Sequence, residues 1–225
     1  MSRLTLLTLA LLTFGASEAH AQESFYKVKQ PPPAGTGWTY TDIGFTFADS
    51  IVLDDGAQEL DGAGAPGMVF GVGAYWRTSR IDLGVLFQGL SSFYFNGIDA
   101  TQFASGAQFR AAANLRWRYI EDSWGALYMR LTPGLMVFDH GVKVREQAGI
   151  RKGGGPTNDP VGVDEHSVGF SLGFDFGLMF YLTDRIALSV DLDLVSGTST
   201  IDTSGGEVNY GVIRTIIAAG IEWRM

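Results

Sequence analysis

Between residues 168 and 182 every second side chain is large and apolar. Val168, Phe170, Leu172, Phe174, Phe176, Leu178, Phe180 and Leu182 alternate with Gly169, Ser171, Gly173, Asp175, Gly177, Met179 and Tyr181. Successive residues of a strand point to opposite faces, so this stretch is a strand with one greasy face and one small, polar face. The next stretch repeats the pattern, with Ile186, Leu188, Val190, Leu192 and Leu194 set against Ala187, Ser189, Asp191 and Asp193. The same alternation predicts strands near 38–49, 67–78, 81–95, 102–120, 124–140, 165–182, 185–198 and 207–224. Eight two-faced strands in succession predict an all-β chain: an eight-stranded antiparallel up-and-down barrel.

Beyond the first segment, no apolar run approaches the ~20 residues that a membrane-spanning helix needs, so the chain's hydrophobicity lies in the strands. The absence of cysteine among its 225 residues excludes disulfides and thiolate metal sites. A net charge of -8 gives no electrostatic reason to expect nucleic acid as a partner. No cofactor is expected. The first segment reads as an address. Arg3, the apolar stretch 4–14 and Ala19-His20-Ala21 form the charged, apolar and small-residue parts of a secretory signal peptide covering 1–21. Residues 22–37, with Pro31-Pro32-Pro33, read as an extended Pro/Gly-rich tether that buries nothing. The barrel is then 38–225.

Soluble barrels also have two-faced strands, but their apolar face points inward. Here the polar face carries Arg110, Asn114, Arg116 and Arg118 and many glycines, which suit a crowded interior, while bulky phenylalanines and leucines suit a lipid-facing wall. The connections alternate in length. Short ones fall at Ser79-Arg80, Glu121-Asp122 and Thr183-Asp184, and longer ones follow the first, third, fifth and seventh strands, as at 50–66 and 145–163. Short periplasmic turns and longer external loops fit an outer-membrane barrel, and an even strand count leaves both termini periplasmic. In this register Trp38, Trp76, Trp117, Trp124 and Trp223 all lie at the short-turn ends, as a periplasmic aromatic girdle would.

On topology and pattern, 38–225 resembles the small outer-membrane barrels of the OmpA-barrel, OmpX and OmpW type. The last strand, with Ile217, Ala219, Ile221 and Trp223, looks like the C-terminal signal read by the barrel-assembly machinery, although it ends at Met225 instead of an aromatic residue. The resemblance implies integral placement in a bacterial outer membrane, among its lipid and lipopolysaccharide.

Turning the polar face inward places Asp42, Arg77, Asp82, Gln88, Gln108, Arg110, Asn114, Arg116, Arg118, Arg130, Asp175, Asp191, Asp193, Arg214 and Glu222 inside. An eight-strand interior is just wide enough for side chains to fill it. Buried charges need opposite partners, so these residues predict an ion-pair network plugging the barrel. The expected function is a non-enzymatic structural or surface-binding protein acting through its external loops. A narrow channel for small or amphipathic solutes is the alternative. A further alternative is a lipid A-modifying hydrolase of the outer leaflet. His140 and His166, with Asp139 and Ser167, flank one long connection and are the candidate catalytic or cation-binding residues. His166 and Ser167 are adjacent, so their side chains start on opposite faces of the strand. The acidic first loop (Asp54, Asp55, Glu59, Asp61) could bridge calcium to lipopolysaccharide but lacks the ordered spacing of a calcium loop. Gly153-Gly154-Gly155 lacks the strand–turn–helix context of a phosphate cradle.

Overall fold

The computed structural model describes residues 31–54, 56, 59–63, 66–92, 107–140, 145, 148, 163, 165–203 and 205–225, with the backbone alone at 47–49, 59–63 and 92. The signal segment 1–21, most of the tether, Asp55, the triple glycine at 153–155 and the strand ends read at 93–95 and 102–106 lie outside the described residues. The described residues form nine strands: β1 (Thr36–Asp54), β2 (Glu59–Ala63), β3 (Gly67–Arg77), β4 (Ile81–Ser92), β5 (Gln108–Asp122), β6 (Gly125–Asp139), β7 (His166–Tyr181), β8 (Ile186–Thr203) and β9 (Gly206–Arg224). Each long strand pairs antiparallel with the next, and β9 returns to β1, running from Trp38↔Arg224 to Asp54↔Asn209. Eight strands therefore close a barrel, and β2 is a short ninth strand lying against the far end of β1.

The alternation decides which side of the wall each residue occupies. On β5, Arg110, Asn114, Arg116 and Arg118 are buried, while Phe109 is 63% and Trp117 46% exposed. On β7 the exposed row runs from Val168 to Phe180, and Ser171 and Asp175 are inside. Along β8 the outward apolar row from Ile186 to Leu194 covers about 20 Å of height at ~3.3 Å per residue and a tilt of roughly 40°, close to the span of an outer-membrane barrel's apolar band.

Two bulges shift this alternation and account for most differences from the sequence reading. Between Thr46 and Ala48 the β1–β9 register slips by one residue. Before the slip Trp38, Tyr40, Asp42 and Thr46 are buried; after it Ile51 and Leu53 are. A strict period two loses the strand there, so β1 continues to Asp54 and pairs with β2 where an open loop at 50–66 was expected. A second slip lies between Arg118 and Ile120. It leaves both Tyr119 and Ile120 exposed and turns Glu121 inward.

The connection after the seventh long strand is also shorter than expected. The β8–β9 ladder runs to Thr203↔Gly206 and closes in a tight turn. There the Thr203 hydroxyl donates to the Gly206 carbonyl (2.6 Å), and Gly206 has φ +123°, a conformation open to glycine. At the other end, β1 begins at Thr36 instead of 38. The tether beside it is not free: Pro32 is buried, and the Gly35 amide donates to the Arg77 carbonyl at 2.8 Å. Both barrel termini lie at the end that carries the short β3–β4, β5–β6 and β7–β8 turns.

Candidate functional site

The barrel interior is filled in two tiers. The tier nearer the short turns is charged and built on arginine. Arg116 grips Glu222 with both guanidinium nitrogens, Nη1 to Oε2 at 2.9 Å and Nη2 to Oε1 at 3.0 Å. Its guanidinium carbon lies 4.6 Å from the Tyr75 ring centre and 4.3 Å from that of Tyr128. The Tyr75 hydroxyl donates to Glu222 as well, and the Tyr128 hydroxyl to Asp191. Arg130 bonds Asp175 and lies 3.8 Å from Asp191. The wall makes room for these rings with glycine: a Cβ on Gly177 would overlap the Tyr128 ring, and one on Gly73 the Tyr40 ring.

Toward the turns, Arg118 reaches Asp82 at 3.3 Å, while Arg77 and the Tyr181 hydroxyl (2.5 Å) both donate to Glu121. Strict alternation puts Glu121 in a turn, and the β5 bulge is what brings it into this network. Arg110 uses neutral acceptors, Gln88 at 3.0 Å, Ser171 at 3.1 Å and the Thr132 hydroxyl at 2.6 Å. Asp193 stands across the ladder from Asp175, Asp42 lies over Gly71, and Arg214 is buried higher on β9. The lining tyrosines Tyr40, Tyr75 and Tyr128 are missed when the inward face is sorted by charge, whereas the alternation of 168–182 already places Tyr181 on that face. Their parity with Asp42 and Asp175 was the available signal.

The second tier, toward the long-connection end, is apolar. Ile51, Leu53, Val69, Phe138, Val195, Ile201, Val208 and Tyr210 pack together there, each at most 1% exposed. An interior polar throughout was expected, and this half is not. The bulge in β1 hid Ile51 and Leu53, and the early end assigned to the seventh strand hid Ile201; Val208 lies within the strand expected at 207–224, in phase with Arg214 and Glu222.

One member of the expected girdle is misplaced. Trp76, Trp117, Trp124 and Trp223 face outward near the short turns, at 39–56% exposure. Trp38 is fully buried inside the barrel, its ring parallel to that of Tyr75 at 6.3 Å. It shares its parity with Tyr40 and Asp42, so it cannot face lipid while they face inward.

At the outer mouth the four rim candidates separate into two pairs. His166 and Asp139 oppose each other on the outside of the wall, Nδ1 to Oδ1 at 3.7 Å, and both are exposed. His140, just beyond β6, turns inward and is 2% exposed. Its Nε2 lies 2.7 Å from the Ser167 hydroxyl, which lies 2.7 Å from that of Ser199. The Tyr210 ring meets His140 edge-on at 4.8 Å. Burial, with Arg145 and His166 nearby adding positive charge, lowers the His140 pKa to about 4. A serine–histidine pair is thus present. Its imidazole is a weak base at neutral pH, and among the described residues Nδ1 has no hydrogen-bond partner of the kind that orients a catalytic histidine. Among the described residues no three His, Cys, Asp or Glu side chains are grouped to hold a metal ion.

No protein-family profile matches the chain, and no curated protein sequence does. Solved structures do match. The outer membrane protein OprG from Pseudomonas aeruginosa is similar over 87% of this chain and 98% of its own, at 12% identity and a TM-score of 0.51. The fold is that of a small transmembrane β-barrel. Neisserial surface protein A is also similar, with 84% of this chain and 97% of its own covered, 12% identity and a TM-score of 0.47. So is Ail, the attachment invasion locus protein of Yersinia pestis, with 84% and 99% covered, 14% identity and a TM-score of 0.37. In a transmembrane barrel the exposed apolar rows lie against hydrocarbon, and the buried arginines lie inside a wall whose backbone hydrogen bonds are already satisfied.

Proposed function

We propose that this transmembrane barrel is an integral outer-membrane protein with a sealed interior, acting without catalysis as a structural or surface-binding protein through its outward end. The observation that carries this reading is the two-tier filling of the lumen. Arg116, Arg130, Asp175, Asp191 and Glu222 are at most 2% exposed, and so are Ile51, Leu53, Phe138 and Tyr210 above them. A conducting path needs a line of water past both tiers, and side chains that bond one another across an eight-strand lumen leave little room for one.

The placement of the turns supports the orientation. The short turns, both barrel termini and four outward tryptophans share one end, which is the periplasmic end in this reading. Residues 1–21 are then a removed signal peptide and 22–37 a periplasmic lead-in. The longer connections and the extended β1–β2 and β8–β9 hairpins face outward, surrounded by lipid and lipopolysaccharide. Planar-bilayer recording of the refolded chain tests the seal. The expected result is no resolved conductance step. Stable steps abolished by Arg116→Ala or Asp191→Ala would overturn it.

The hydrolase reading has one observation in its favour, the 2.7 Å contact between Ser167 and His140. The lowered basicity of that imidazole weighs against it. Mass spectrometry of lipid A from cells with and without the protein separates the two readings. An unchanged profile is expected, and a product lost in Ser167→Ala would establish the enzyme.

A further inference from the structure

Past the apolar belt, β8, β9 and β1 continue outward together, and their outer faces change chemistry at one level. On β8, Leu194 is followed outward by Thr198 and Thr200; on β9, Ile213 is followed by Gly211 and Asn209. The register sets Thr198, Gly211 and Val52 in one row and Thr200, Asn209 and Asp54 in the next. These six residues line a cleft of about 520 Å³ whose border includes Val168. Val168 is 67% exposed and belongs to the lipid-facing row of β7, so the cleft sits at the boundary between hydrocarbon and headgroups. Gly211 leaves its floor open, because a Cβ there would meet only Val52, at 3.7 Å. The Asp54 carboxylate is oriented by the Gly56 amide, which donates to Oδ1 at 2.8 Å from a turn with φ +84°.

We propose that this shelf binds a neutral core sugar of an outer-leaflet glycolipid, beyond the phosphorylated sugars of its lipid anchor; the proposal rests on the outer-membrane reading above. Two threonine hydroxyls, an amide and a carboxylate offer donors and acceptors together, as a ring of neighbouring hydroxyls requires. Val52 and the bare Gly211 backbone form a small apolar floor for the C–H face of such a ring. Among the described residues no lysine, arginine or histidine lines the cleft, and its carboxylate repels anions, so the chemistry disfavours phosphate. The single carboxylate among the described lining residues is too few for a divalent cation. The lipid-facing border at Val168 favours an occupant held in the same membrane over a soluble glycan.

The test uses the full mature chain, threonine-methyl labelled and refolded in nanodiscs. The probes are lipooligosaccharide with a neutral hexose core and lipid A lacking core sugars. Saturable shifts of the Thr198 and Thr200 methyl signals are expected with the first and not with the second. Gly211→Phe, which fills the floor, should weaken the interaction at least 10-fold, and Asp54→Asn several-fold. Equal shifts with lipid A alone, or unchanged binding by both variants, would overturn the proposal. So would saturation by soluble core oligosaccharide in glycolipid-free nanodiscs, which would move the source outside the membrane. Heat-modifiable migration on a gel is read on the same samples. Its loss in the unsubstituted chain would indict the barrel reading, whereas failed binding by a heat-modifiable barrel indicts the shelf alone.

Discussion

Replacing Arg116 by methionine should be among the most destabilising single changes in the barrel. The substitution keeps most of the side-chain volume, so its cost isolates charge and hydrogen bonding from cavity formation. It removes two guanidinium bonds to Glu222, a residue with no solvent exposure, and leaves that carboxylate with the Tyr75 hydroxyl as its nearest donor. Breaking one half of a buried ion pair typically costs about 3–5 kcal/mol, because the remaining charge is stranded in a low-dielectric interior. Two desolvated ring contacts, to Tyr75 and Tyr128, are lost at the same time, and each can contribute about 1–2 kcal/mol. These terms overlap, so the single variant should lose about 4–6 kcal/mol. Glu222→Gln alone should cost less, because the amide can still accept from Arg116 and from Tyr75. The Arg116→Met/Glu222→Met pair should recover to within about 2 kcal/mol of the parent, since replacing both halves of a buried pair with apolar groups is often nearly neutral. Equilibrium unfolding in urea, with the barrel in lipid vesicles and followed by tryptophan fluorescence, measures these variants together with Glu222→Met, the second single that closes the cycle. A loss below about 1 kcal/mol in Arg116→Met, or a double variant as damaged as the sum of its singles, would refute the reading of Arg116 and Glu222 as a tightly coupled buried pair.

Other expectations follow from separate parts of the structure. Lipids brominated near the interface should quench the fluorescence of Trp76, Trp117, Trp124 and Trp223. Trp38→Phe should leave the quenched fraction nearly unchanged or raise it, whereas Trp76→Phe should lower it. Burial holds His140 neutral, with its pKa lowered from 6.5 to about 4. The unfolded chain therefore takes up a proton first, so stability is full above about pH 6.5 and falls as the pH drops towards 4. A 2.5-unit gap corresponds to a loss of at most about 3 kcal/mol across that window. The difference in unfolding free energy between the parent and His140→Gln, measured from pH 7 to pH 4, should show that slope, and a flat difference would exclude it. Gly177→Ala places a methyl group against the Tyr128 ring and should cost about 1–3 kcal/mol in the same unfolding assay. That penalty should shrink when Tyr128 is also replaced by leucine.

Strand content and the inside–outside assignment were legible in the sequence because a two-faced strand repeats its chemistry every second residue, and most of this wall keeps that period without interruption. Departures concentrate at the two places where the period slips. Thr46 and Ile51 are both buried although their numbers differ in parity, so no single alternation could place both, and the bulge between Thr46 and Ala48 is what reconciles them. The same kind of slip after Arg118 made Glu121 look like turn polarity, when it is the carboxylate that Arg77 and Arg118 share. Trp38 is a different failure. Its parity was available, but its proximity to the short-turn end was given more weight than its phase with Asp42. The four rim candidates were legible as a group but not as pairs, for a third reason. His140 lies one residue beyond β6 and Ser167 one residue into β7, so their contact is a property of the ladder register Phe138↔Ser167, which fixes the position of every later residue. Alternation along one strand carries no information about register between strands. Geometry that depends on a bulge or on pairing thus becomes visible only once the ring is closed. The same holds for the row of Thr200, Asn209 and Asp54, which three separate strands contribute, Asn209 from an expected strand and the other two from stretches that read as polar loops.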